Sequence, residues 1–372
     1  MVRKVIVIGG GLAGLVTSIC LRKAGLPVTL IEKKTYPFHR VCGEYISNEV
    51  CGFLERLQIF PDHVRPSLIT RLQITSVNGK SAFLPLDMGG FGLSRFEMDY
   101  FMYQKAVDMG VEFILQSQAG AVRFEENKFL VDIEGASSME AEVVVGAFGK
   151  RSRLDKQMGR RFLVKRSPYI GVKYHIQYDQ HPDDLIALHN FKNGYCGINK
   201  IEEDKYNLCY LSARSNLSKS SDISDMEDHI LSQNPHLKRI FTEAKFLFER
   251  PEVINEISFE TKESVDQHVL MCGDAAGMIT PLCGNGMAMA IRSAKTLSGE
   301  IINYFHNHHS REKLESNYGQ RWRVLFERRL WAGRQIQKLF GSEHASNLAV
   351  LIARRSRFIA DFLIKQTHGE AF

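Results

Sequence analysis

Two groups of residues, far apart in the chain, have the types and spacing that chemistry needs. The first is Gly9-x-Gly11-x-x-Gly14. Gly9 suits a tight turn, Gly11 a close approach of backbone to a pyrophosphate, and Gly14 close packing of a helix on a strand. Glu32 follows at the distance where an acid meets a ribose hydroxyl pair. Leu12, Ala13 and Lys33 complete the expected contacts at this end. The second group is Gly273-Asp274, Pro281 and Gly284-Asn285-Gly286-Met287. It gives a carboxylate after an apolar strand, a proline turn, and a glycine pair opening a small-residue helix. Those parts suit a flavin, whose ribityl hydroxyls need an acceptor and whose ring needs a close helix start.

Elements of the right kind stand around both groups. Val5 to Ile8 is a short apolar run, read as a buried parallel strand before the glycines. Residues 15–24 read as a helix closed by Gly25, and Val28 to Glu32 as the next strand. Residues 46–60 look helical. Residues 68–86 alternate about Asn78-Gly79, a hairpin signal. Ser94 is the expected N-cap of a helix to Met109, stopped by Gly110. Strands are expected at 111–115, 120–124, 128–133, 143–146, 169–178, across 184–213 and at 268–272. Helices are expected within 222–250 and beyond 300.

The fold class is therefore α/β. Strands near 4–31, 143–146 and 268–272 share one sheet, and the antiparallel strands form an insertion. The expected division is a discontinuous dinucleotide-binding domain (1–67, 92–165 and 262–300), an antiparallel-sheet substrate domain (68–91 and 166–261) and a helical C-terminal region (301–372).

The composition adds bounds. The 372 residues, 44% of them hydrophobic, suffice for more than one domain. A net charge of +6 suits anionic cofactors or an acidic membrane surface, and equally a solvated basic face. The seven cysteines are odd in number and include no Cys-x-x-Cys, which argues for a reducing cytoplasm and against a disulfide framework or a metal site. No signal peptide or membrane span is evident, and nothing points to nucleic acid. The sequence leaves the oligomeric state open.

With both ends in view, the chain resembles the FAD-dependent monooxygenase superfamily of the p-hydroxybenzoate hydroxylase fold, and within it the geranylgeranyl-reductase-like branch. The matching pieces are Gly9 to Gly14, Glu32, Cys42-Gly43-Glu44, Arg95 with Asp99, Gly146 to Ser152 and Gly273-Asp274 through Gly286. The resemblance implies FAD, with Asp274 on the ribityl chain. Pro281, Gly284, Asn285 and Gly286 would line the ring, Arg95 the phosphates or flavin edge, and Arg40 the ADP part. Cys42 and Gly43 would lie near the flavin and Gly149 in the middle motif. NADPH or NADH is the donor that the family suggests. However, Phe148 stands where hydroxylases carry an Asp, and a phenylalanine accepts no hydrogen bond. Lys150 and Arg151 remain to attract phosphates. The reductase branch carries Tyr-x-Trp-x-Phe-Pro; here Tyr195 remains, Gly197 replaces the Trp, and no Phe-Pro follows. The pocket above the ring is expected to be roomier.

Cys42, Tyr195 and His175 are the candidates for catalysis. Each has a plainer alternative: a small buried thiol, a tyrosine with a local partner, and a structural histidine. The expected reaction is oxygenation of an aromatic, polyketide or lipid-like apolar small molecule through a flavin hydroperoxide. The alternatives are saturation of isoprenoid double bonds and flavin binding without turnover. Towards the C-terminus, Trp322, Phe326, Leu330, Trp331, Ile336 and Leu339 are mixed with arginines. That pattern suits either packing on the protein body or peripheral contact with an anionic membrane.

Overall fold

The computed structural model describes residues 4–164, 167–255, 257–338, 340–355, 366 and 368–372. Leu339 lies outside them.

Three sheets organise the chain. The first contains β1 (Val5–Ile8), β2 (Val28–Glu32), β6 (Glu112–Leu115), β10 (Val143–Gly146), β17 (Val265–Asp266) and β18 (Val269–Met271). Its order is β17-β18-β10-β1-β2-β6, all parallel except for β17. Both faces are covered, so β1, β2, β10 and β18 are buried throughout, as their continuous apolar runs require. The second contains β3 (Tyr45–Ser47), β4 (Ser67–Thr75), β5 (Ser81–Gly92), β11 (Tyr169–Gln177), β12 (Leu185–Phe191), β13 (Gly194–Lys200), β14 (Tyr206–Ala213), β15 (Lys245–Phe246) and β16 (Glu252–Asn255). Its order is β15-β11-β14-β13-β12-β4-β5-β3, with β16 also on β11. A small third sheet holds β7 (Ala119–Glu125), β8 (Lys128–Ile133) and β9 (Met139–Ala141).

The helices are α1 (Leu12–Lys23), α2 (Cys51–Leu57), α3 (Arg95–Asp108), α4 (Arg153–Gln157), α5 (Arg214–Leu217), α6 (Ile223–His229), α7 (Pro235–Glu243), α8 (Gly286–His306), α9 (Arg311–Gln337) and α10 (Glu343–Arg355). Helix α1 packs on α8 and α3, and α8 on α9.

The expected glycine loop, hairpin and capped α3 are all present. Ser94 accepts a hydrogen bond from Glu97 N–H at 3.2 Å, and Gly110 follows α3 at φ +80. Three differences have local causes. Helix α1 starts at Leu12, before the expected Leu15, directly after Gly11 as its N-cap. The expected helix at 46–60 yields its start to β3 and a 3-10 turn; the Ser47 hydroxyl takes the Glu49 N–H and turns the chain there. Helix α8 starts at the expected glycine pair but runs unbroken from Gly286 to His306, across the expected boundary at residue 300.

Candidate functional site

The first and second sheets enclose a cavity of about 970 Å³. The first sheet delivers the glycine loop to it. Gly9 has φ +106, and a β-carbon there would lie 2.4 Å from the Ala147 carbonyl oxygen. Gly14 lies off the cavity and holds α1 against the loop, since a β-carbon would meet the Gly9 carbonyl at 2.0 Å. Gly11 carries no side-chain cap, so the first-turn N–H groups of α1 remain for an anion. Glu32 is buried at the end of β2. It accepts the Gly10 N–H at 2.7 Å and the Lys34 N–H at 3.1 Å. Lys33, Leu12 and Ala13 complete this wall.

Arg95 and Arg40 stand opposite. Asp99 binds Arg95 through two bonds of 2.8 and 2.7 Å and takes Arg40 Nε at 3.0 Å. One carboxylate thus steadies two guanidiniums beside Gly11, where a β-carbon would have only Arg95 Nη2, at 3.7 Å, as a neighbour. The Arg95–Asp99 pair is buried rather than superficial.

The far wall comes from residues 274–287. Asp274 faces the cavity. Burial raises its carboxyl above the ordinary value, while Lys262, Arg95 and Lys150 pull it back. Lys262, itself buried, donates to the carbonyls of Asp274 at 2.7 Å and Lys150 at 2.6 Å, tying this segment to the middle motif. Burial lowers the Lys262 ammonium to about 8. Gly284 ends the Pro281–Cys283 turn at φ +63, and Gly286 opens α8 at the cavity. Met287 and Phe148 line the same space.

Three expected contacts fall elsewhere. Gly273, at φ +61, packs towards Ala13 and does not line the cavity. Asn285 is buried and bonds Glu49, so its side chain serves the start of α8. His175 is buried off the cavity with Nε2 at 2.7 Å from Glu44 Oε2. Cys42 and Tyr195 do reach the cavity. Burial raises both groups, Cys42 against the pull of Arg95, so each keeps its proton.

Sequence reasoning missed Lys173, and it read Glu44 only as the end of Cys42-Gly43-Glu44, without a role of its own. Glu44 is fully buried, with φ +52. It bonds Lys173 Nζ, His175 Nε2 and the Arg95 N–H. Burial works against its charge, but Lys173 and His175 more than offset that and hold the carboxyl at about 2. Lys173 also donates to the Arg40 carbonyl at 3.2 Å, and Asn207 to that of Cys42 at 3.2 Å. The cluster therefore pins residues 40–44 over the second sheet. A signal existed: Lys173 and His175 occupy alternate positions of an otherwise apolar strand, where an unpaired lysine would be costly.

The cavity fits FAD. A β-carbon at Gly43 or Gly149 would meet nothing within 4 Å, so both leave backbone bare to a ligand. The anion-ready α1 start, the paired arginines and Asp274 all line this one cavity. Residues 3–327 match the model of the FAD binding domain family. The chain belongs to that family. This FAD-dependent oxidoreductase is 25% identical to digeranylgeranylglycerophospholipid reductase 2 of Methanopyrus kandleri, over 80% of this chain and 76% of that protein. It is 23% identical to conditioned medium factor receptor 1 of Dictyostelium discoideum, over 86% of this chain and 67% of that one. Among solved structures, a flavin-dependent brominase superposes with a TM-score of 0.80 at 19% identity, covering 98% of this chain and 92% of its own. A geranylgeranyl bacteriochlorophyll reductase-like protein of Thermoplasma acidophilum gives 0.77 at 19% identity, covering 99% and 96%. The flavoprotein thus falls in the FAD-dependent monooxygenase superfamily, with geranylgeranyl-reductase-like relatives.

Proposed function

We propose that this flavoprotein saturates carbon–carbon double bonds in an elongated, lipid-like substrate. One observation carries the reading. The cavity continues past the flavin end along the second sheet, over side chains in strict register. Cys209 on β14 faces Gly197 on β13, Gly197 faces Leu188 on β12, and Leu188 faces Ile74 on β4. Three strand steps of ~4.8 Å make an arm of about 14 Å. Leu72, Leu84, Leu86 and Ile186 flank it, and Ile336, Phe340, Leu348 and Ile352 cover it. This wall is mostly aliphatic, with Tyr195 and Asn199 either side of Gly197 and Phe340 above it as the exceptions. It holds an apolar chain by burial, at roughly 25 cal/mol per Å² of apolar surface covered.

Bound FAD supplies two-electron redox chemistry. The chain's residues do the rest. Asp274, Arg95 and the α1 start hold the cofactor. The Glu44–Lys173–His175 cluster fixes Cys42 and Gly43 at the cavity wall. The aliphatic arm orients the chain and excludes water. Saturating a double bond also needs a proton, and Cys42, whose thiol lines the cavity, is its candidate donor. The names of the archaeal relatives agree with this reading.

Oxygenation of the same apolar chain is the second reading. The open space at Gly197 favours it: a β-carbon there would meet Leu188 no closer than 3.6 Å. Product mass separates the two. Reduced protein is incubated with digeranylgeranylglycerophospholipid, first without air and then in air. A gain of hydrogens in the absence of air supports reduction, and Cys42→Ala then slows it. A gain of one oxygen, only in air, overturns reduction. The donor is tested by flavin bleaching with NADH or NADPH under nitrogen; Phe148 in the middle motif leads us to expect a slow response to both.

A further inference from the structure

Helix α9 divides its aromatic residues between two faces. Trp322, Phe326 and Leu330 are buried, and Gly277 leaves room for two of them. Trp331 is 58% exposed and Val324 77% exposed. Val324, Arg328, Trp331 and Lys338 follow helical spacing, so they share one outward face. After a short connection comes α10, which packs on β4 and β5 as the roof of the aliphatic arm. Leu348 belongs to that roof and is still 53% exposed. Leu351, one turn on, lies off the cavity and is 43% exposed. Over 323–338 and α10 the exposed charged residues are Arg323, Arg328, Lys338, Arg354 (which donates to the Ser81 carbonyl) and Arg355, against Glu327 and Glu343.

We propose that the outer face of α9 and α10 docks on an anionic phospholipid bilayer, so that the apolar substrate enters the arm at Leu348 from the membrane. The proposal rests on the reading of a lipid-like substrate. Charge selects the occupant. A tryptophan and aliphatic side chains fringed by cations match an interface of anionic headgroups over acyl chains. A buried protein interface would leave those cations in need of acidic partners. No helix among the described residues is long and apolar enough to cross a membrane, so this contact is peripheral. The Leu348 position gives it a purpose: a water-insoluble chain passes from acyl layer to aliphatic wall without crossing solvent.

The test is co-sedimentation of the FAD-loaded protein with vesicles of phosphatidylcholine, alone or mixed with phosphatidylglycerol. We expect binding to the mixed vesicles, weaker binding as salt rises, and little to phosphatidylcholine alone. Arg328→Ala should weaken binding about fivefold, at roughly 1 kcal/mol per basic residue near the surface. Trp331→Ser with Leu351→Ser should weaken it further, with flavin content and melting unchanged. Equal binding by these variants, or none by the parent, overturns the proposal. So does a vesicle-free dimer that Trp331→Ser disperses, because the face would then join two copies. Product mass with detergent-dispersed lipid is the separate check on the reaction. Vesicle binding without saturation would sink the reductase reading and leave the docking surface standing.

Discussion

Glu44 shows how much one side chain organises. It accepts from a lysine, a histidine and a backbone N–H, and so locks the Cys42 segment to the helix carrying Arg95. Lys173→Met leaves the buried Glu44 carboxylate with only His175 and the Arg95 N–H, and should cost about 3 kcal/mol in urea unfolding. The pH dependence has a definite sign. The folded carboxyl sits at about 2 and the ordinary one at 4.5. The unfolded chain therefore takes up the proton first as pH falls. The cluster's stabilisation is present above 4.5 and is lost as pH drops through about 2. Glu44→Gln should flatten that limb in acid titrations followed by fluorescence. Asp274→Ala removes the acceptor aimed into the cavity and should yield colourless protein; a variant that stays fully yellow would refute the assignment. Both glycine clusters were legible from residues, because turn and phosphate chemistry are local. The role of Glu44 was not, although the tripeptide Cys42-Gly43-Glu44 stood out, because its three partners come from β11 and α3, which no local pattern joins to it.

Elements were legible where one short rule decides them. The Ser94 cap and Gly110 stop bound α3, and Asn78-Gly79 marks the turn between β4 and β5. Ser94→Ala should cost about 1 kcal/mol. Because Arg95 is the first residue of α3, the same change should weaken FAD retention, measured by titrating the apoprotein with FAD. The start of α1 was missed because Gly11 caps it with no side chain at all. Bare N–H groups give no sequence signal of their own, and they are what the phosphates need. The insertion was legible as antiparallel strands, except that β4 and β12 pair in parallel. Its register was not, and register creates the aliphatic arm, because it brings Gly197, Leu188 and Ile74 into one row.

At the scale of the molecule, acid should act in two stages. His189 is buried against Thr75 and stacked on His236. Burial, with His236 and His181 nearby, holds it well below 6.5. The folded state keeps it neutral while the unfolded chain protonates near 6.5. Stability should therefore begin to fall below that pH, before the Glu44 limb. His189→Gln should blunt the first stage in melting curves taken from pH 7 to 5. The sheet order has a further consequence. Strand β18 delivers Asp274 to a sheet whose central strand is the first element of the chain. On the proposed binding mode FAD would join two segments far apart in the sequence, residues 9–32 and 274–287, and act as a clasp. Only the folded chain presents both halves, so free FAD at a thousandfold its Kd should add about 4.1 kcal/mol to unfolding. A growing chain cannot close this clasp until residue 274 has been made. Flavin supply during synthesis should then govern the yield of native protein, a dependence readable as soluble expression in riboflavin-limited cells.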